Sequence, residues 1–264
     1  MSANYTRITQ RAAVVGLEPF STTTDANFTT YLGQRFDLND GRQVTLVQNA
    51  GSAIAAGLMV QSPATVANHQ GMAVTAVQAY SSNGNTPATV TATLGATAVL
   101  VNEYSLGLMF VKSGTGAGQT LRIQSHPAAS ASASCVFTLA DVPVTALDTT
   151  SVVNILKPSH GSANGTDFTT NGVIVAPTTS TGELIGATYY NLPASVAATA
   201  TYGFVATKGT WAVLNDANTA ANLPLMRSSN TAGALMTFAS TGALVGYAVQ
   251  AGVTTAYGAV FLNL

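Results

Sequence analysis

Charge is what this chain has least of. Asp, Glu, Lys and Arg make up 7% of its 264 residues, against about 25% in an ordinary soluble domain. Its net charge of −1 supplies neither the basic patch that gathers nucleic acid nor a strongly acidic surface. Cysteine is almost missing as well: Cys135 stands alone, so no internal disulfide forms and no zinc-ligand spacing exists. Its context, SASCVFTLA, reads as a strand in which the thiol is a small buried apolar group. Long hydrophobic runs are lacking, and no stretch approaches the ~20 apolar residues of a membrane-spanning helix. The opening MSANYTRITQR holds Arg7 and Arg11 without an apolar run behind them, so the expectation is no secretory signal, with synthesis and folding in a cytoplasm. A free monomer generally carries more charge for solubility. Part of this surface is therefore expected to be covered by other protein.

What fills the sequence is Thr, Val, Ala and Gly, a composition suited to strands joined by tight turns. Residues 1–30 are polar, with too little periodicity for a core element, and read as an extended N-terminal arm that docks elsewhere. In 31–85, Phe36 and Leu38 alternate ahead of Asn39-Asp40-Gly41, and Val44 and Leu46 follow, a hairpin signal. The nearby Arg35, Asp37, Asp40 and Arg42 read as a solvated hairpin end. Residues 50–80 are the best helical candidate, although Gly51, Gly57, Gly71 and Pro63 allow only short pieces. From 86 to 158 the period is two, in segments such as TPATVTATLGATAVLV and ASCVFTLADVPV, and this region reads as a middle β-domain. Residues 159–172, SHGSANGTDFTTNG, read as a loop or linker, and 173–264 as a C-terminal β-domain. The expected fold is mainly β: antiparallel sandwich or barrel modules with at most short helices. Residues 31–62 are candidates to pair with the C-terminal series, which would make 86–158 an insertion.

One stretch looks at first like a phosphate-binding loop: SGTGAGQT at 113–120, between LGLMFVK and LRIQ. A Walker loop needs a Lys before the Ser/Thr and a helix after it. Position 119 is Gln, and Leu121-Arg122-Ile123-Gln124 alternates like a strand, so Gly114, Gly116 and Gly118 are read as the tip of a hairpin. The ten acids are scattered beside turn residues and give no carboxylate pair. Of the three histidines, His69 has no Cys, Asp or Glu neighbour, while His126 and His160 read as surface residues, and no serine sits in a nucleophile elbow. No catalytic, cofactor-binding or metal-ligating residue is assigned, and no cofactor. Tyr189, Tyr190, Tyr202, Trp211 and Tyr247 are kept as a candidate aromatic platform for sugar, beside their alternative as core or cross-strand aromatics.

The stretch LGATAVLVNEYSLGLMFVKSGTGAGQTLRIQSHPAASASASCVFTLADVPVTALDTTSVVNILKP, followed by GVIVAPT and YGFVATKGTWAVLND, resembles virion structural proteins of tailed bacteriophages, of the capsid-decoration (cement) or minor head kind. RFDLNDGRQVTLVQNAG also fits, so that the resemblance covers much of 90–264. It implies β-rich modules that bind the major capsid protein and each other, often as homotrimers, on the outer capsid surface of a virion assembled in a bacterial cytoplasm. It implies no enzyme activity, and neither nucleic acid nor membrane as a partner. The alternatives are a carbohydrate-binding fibre or adhesin module using the aromatics of 189–247, and a tail or neck component. A tailspike-type glycosidase is held third.

Overall fold

The computed structural model describes residues 21–76, 79, 87–162, 168–240 and 242–264. The strands run β1 Arg35–Asp37, β2 Gln43–Asn49, β3 Met59–Gln61, β4 Met72–Ala73, β5 Thr89–Thr93, β6 Leu108–Ser113, β7 Thr120–Ser125 and β8 Ser134–Leu139. They continue as β9 Val152–Leu156, β10 Ile174–Val175, β11 Leu184–Ala187, β12 Thr201–Leu214, β13 Pro224–Arg227, β14 Leu235–Thr237, β15 Leu244–Ala248 and β16 Tyr257–Asn263. The protein is mainly β, with antiparallel sheets forming a half-barrel and a nearly closed barrel. The chain divides into two units. Within the described residues, one draws on 21–63, 159–161 and 168–264, and the other on 64–158 with 162.

The first unit holds one sheet in the order β10-β3-β11-β12-β16-β15-β13-β14, with β2 also paired to β12 and β1 to β2. The Asp40-Gly41 signal works as expected: Arg35, Phe36 and Asp37 pair with Thr45, Val44 and Gln43, and Gly41 takes φ 82°. Phe36, Leu38, Val44 and Leu46 are all buried. Phe36 meets Phe204 edge to face at 5.4 Å, a geometry worth ~1 kcal/mol beyond the area buried. β2 and the first half of β12 are covered on both faces. Leu46 and Phe204 join one apolar cluster, and their neighbours Val47 and Val205 join another. Double coverage explains why QVTLVQN reads as continuous burial, where a half-exposed strand would alternate.

Residues 21–30 are not a free arm. Thr23 bridges Tyr202, Asp25 caps a 3-10 helix over Ala26–Tyr31 through the Asn27 N–H, and Phe28 of that turn lies in the core. A single aromatic anchor is enough to dock the segment, and periodicity has no purchase on one residue. Residues 1–20 lie outside the described residues. The helical reading of 50–80 is also corrected. Within its described residues the only helical piece is the 3-10 turn Ala67–His69, and the rest contributes β3, β4 and isolated bridges. Gly57, at φ 79°, breaks the run just where Leu58, Met59 and Val60 turn into the sheet.

The second unit has the order β4-β9-β6-β7-β8-β5. Val74, directly after β4, bridges Ala92 of β5, so the sheet almost closes on itself. Inward-facing residues alternate along each strand; Met109 and Val111, Leu121 and Ile123, and Cys135, Phe137 and Leu139 share one core. This unit begins near 64, ahead of the boundary at 86 that the sequence suggested, because β4 pairs with β9 at its far end. The 113–120 loop is the tip of the β6–β7 hairpin, with Gly114, Gly116 and Gly118 all at positive φ. Gly114 is demanded twice over, since a Cβ there would run into the Thr150 carbonyl.

Candidate functional site

In the first unit a cleft of about 840 Å³ opens beside the second half of β12. Its size falls within the range of about 300–1,000 Å³ common to small-molecule sites. Trp211 and Tyr189 form the aromatic wall, with ring centroids 4.6 Å apart, and Tyr190 abuts Tyr189 edge to face at 4.9 Å. Trp211 is held by its indole N–H, which donates to the Lys208 carbonyl. The Arg42 guanidinium lies 4.1 Å from the Trp211 ring centre, while its Nε donates to Asp40 at 2.7 Å. Burial pushes the Asp40 carboxyl up, but the Arg42 backbone N–H and guanidinium outweigh it and hold the group below its ordinary range. Burial, reinforced by Tyr190, pushes the Tyr189 hydroxyl far up, so it stays protonated. On another side stands Tyr257, 57% exposed, its ring packed against Gly57.

The cleft is edged by polar groups that the protein leaves open. Asn191 accepts the Ala56 N–H through Oδ1, which leaves its amide N–H groups as donors. Thr210 and Gln250 are exposed and line the same cleft.

Of the five aromatics read as a platform, Tyr189, Tyr190 and Trp211 come together here. Tyr202 is 1% exposed in the core, its hydroxyl pushed up to about 12 by burial. Tyr247 stacks on Phe261 on another strand pair at 5.1 Å. Arg42 and Tyr257 were missed. Arg42 was read as part of a solvated turn, and it reaches Trp211 only because β2 and β12 pair. The local signal for Tyr257 was the bare glycine at 57, whose partner lies far along the chain.

Part of the outward face of the same sheet is apolar, beside the polar Lys208, Thr210 and Asn263. Exposed positions alternate along the end of β12, where Thr210 and Ala212 face out and Trp211 and Val213 face in. Ala212 pairs with Ala259 and Thr210 with Phe261. Phe261 pairs in turn with Tyr247, and Tyr247 with the exposed Pro224. These side chains share the outer face of four neighbouring strands.

In the second unit the histidines are not where the sequence put them. His69 and His126 are 0% and 2% exposed; His126 was read as a surface residue and is not one. The Thr97 carbonyl takes a hydrogen bond from His69 Nε2 at 3.0 Å, so the Tyr104 hydroxyl donates to Nδ1 at 2.5 Å. Nδ1 of His126 donates to the Pro127 carbonyl, so Nε2 accepts the Tyr104 backbone N–H at 2.9 Å. Cys135 lies beside this pair, its thiol pushed up to about 11 by burial. With every ring nitrogen engaged and the thiol protonated, the cluster pins the 100–107 turn and has no activated nucleophile. Lys157 and Glu103 add a buried ion pair at 2.7 Å. His160 belongs to the first unit and is partly buried, against the surface reading.

Comparison with protein-family models, curated proteins and solved structures finds no match. Among the described residues, no group of three or more His, Cys, Asp or Glu side chains is placed to hold a metal ion, and no helix is long and apolar enough to cross a membrane.

Proposed function

We propose that the chain is a non-enzymatic structural protein of a tailed-phage virion, which binds the assembled capsid and stabilises it as a decoration protein. The observation that carries this reading is the outward face of the first unit, where Ala212, Ala259, Phe261, Tyr247 and Pro224 lie side by side across four strands. Such a face suits burial against protein. On a chain with 7% charged residues, desolvating it against capsid subunits or further copies, as in a homotrimer, costs little. The resemblance of much of 90–264 to phage structural proteins points the same way. Two of its stretches meet in the second unit: Thr115 of the glycine-rich tip donates to Asp148 of LDTTS, and Ser151 donates to the Thr115 carbonyl. The mechanism is linkage, since a protein that binds only the assembled shell shifts its disassembly by mass action. The site of action is the outer capsid surface.

The test is to assemble capsids with and without the protein and measure their disruption temperature. The expected result is a higher temperature with wild type. A Tyr247→Ser/Phe261→Ser variant, shown by circular dichroism to be folded, should lose the increase. An unchanged temperature with wild type would sink the decoration role.

A further inference from the structure

The same unit carries the cleft beside β12, which shares Ala212 and Ala259 with the apolar outward face. We propose that the cleft between Trp211, Tyr189 and Tyr257 binds a neutral oligosaccharide, with the exposed Tyr257 ring as the stacking surface.

An aromatic ring presents a negative face that attracts the weakly positive C–H groups lining one side of a pyranose. Tyr257 is the ring that stands free for this, because Trp211 already has Arg42 and Tyr189 against it. Sugar hydroxyls both donate and accept, and the rim supplies both kinds of partner. The Asn191 amide keeps its N–H donors, Thr210 offers a hydroxyl, and Gln250 offers a complete amide. A purely apolar ligand would strip water from these groups and leave them unpaired. Among the described residues, an anionic ligand would face one lining cation, Arg42, whose charge is already met by Asp40. Nucleic acid would need several cations along its phosphates. Neutral, polyhydroxylated and apolar on one side describes a sugar.

Trp211 is the only tryptophan in the chain, so intrinsic fluorescence reports directly on this cleft. The full-length protein is titrated with the neutral hexasaccharides of maltose, cellulose and chitin type, and with hexagalacturonate as an acidic counterpart. The expected result is a saturable change in emission with at least one neutral hexasaccharide. Tyr257→Ala, at an exposed position, should weaken that binding at least tenfold, and Gln250→Ala severalfold, both with unchanged melting temperature. No saturable change with any neutral probe, binding of hexagalacturonate alone, or binding that survives Tyr257→Ala unaltered would each overturn the proposal. The titration is read on the free protein, so its failure is distinguishable from a failure of the capsid measurement, although Ala212 and Ala259 belong to both the apolar face and the cleft lining.

Discussion

His126 shows how far a single residue's surroundings govern its chemistry. Burial is the main force that lowers its pKa below 6.5; the Pro127 carbonyl and the Glu103 carboxylate oppose it, and His69 adds to it. The sign follows. Above pH about 6.5 the imidazole is uncharged in both folded and unfolded chains, and its contribution is intact. As the pH falls below that value the unfolded chain takes up the proton first, so stability drops until the depressed folded pKa is reached. His160 in the first unit shifts the same way, by burial first, with Glu183 opposing and Arg35 assisting. The unfolding free energy, read from the denaturant midpoint, should therefore fall between pH 7.5 and 5.5, by no more than ~1.4 kcal/mol for each group per pH unit. The loss should shrink in His126→Gln, whose amide oxygen still accepts the Tyr104 N–H. A midpoint that rises on acidification would contradict the buried placement of both imidazoles.

Among the elements, the short 3-10 turn at Ala26–Tyr31 carries more than its length implies. Phe28 inserts into the main core of the first unit and meets Tyr31 at 6.4 Å. Phe28→Ala should cost ~3 kcal/mol, read as a shift in unfolding followed by Trp211 fluorescence. A shift near zero would show that the segment is not docked. Deleting residues 1–30 is therefore no neutral removal of an arm, because it takes the Thr23 bridge and Phe28 with it. The β1–β2 hairpin and the β6–β7 hairpin were legible in advance, because Asp-Gly and the glycines of 114–118 act within a few residues, and here they take the positive φ of tight turns. The cleft was legible only in part. Tyr189, Tyr190 and Trp211 sit close in sequence, whereas Arg42 and Tyr257 arrive through pairings between distant strands. His126 was misread because Pro127 and its polar neighbours look like a turn, while its burial comes from Tyr104 and Phe137. The 50–80 segment failed for another reason: alanine-rich composition favours helix locally, and the pairing of β3 and β4 with distant strands outweighs that preference.

For the whole molecule, the decisive fact is that the second unit is an insertion whose first and last strands, β4 and β9, pair with each other. Among the described residues, its core cluster is built from residues of 64–158. A chain limited to 64–158 should therefore fold by itself, with a cooperative thermal transition by circular dichroism. A non-cooperative melt would show that this unit depends on the rest of the chain.

The pairing of β2 with β12 also fixes a timetable. Thr45 and Thr207 are 162 residues apart, and β3 finds its partners only once β10 and β11 exist. On the ribosome, the inserted barrel is complete while the apolar strand QVTLVQN still has its principal partner, β12, unsynthesised. For that interval the nascent chain displays a naked strand edge, the state in which β proteins are most prone to aggregate. The half-barrel is the part of the molecule for which slow translation or chaperone shelter should matter most.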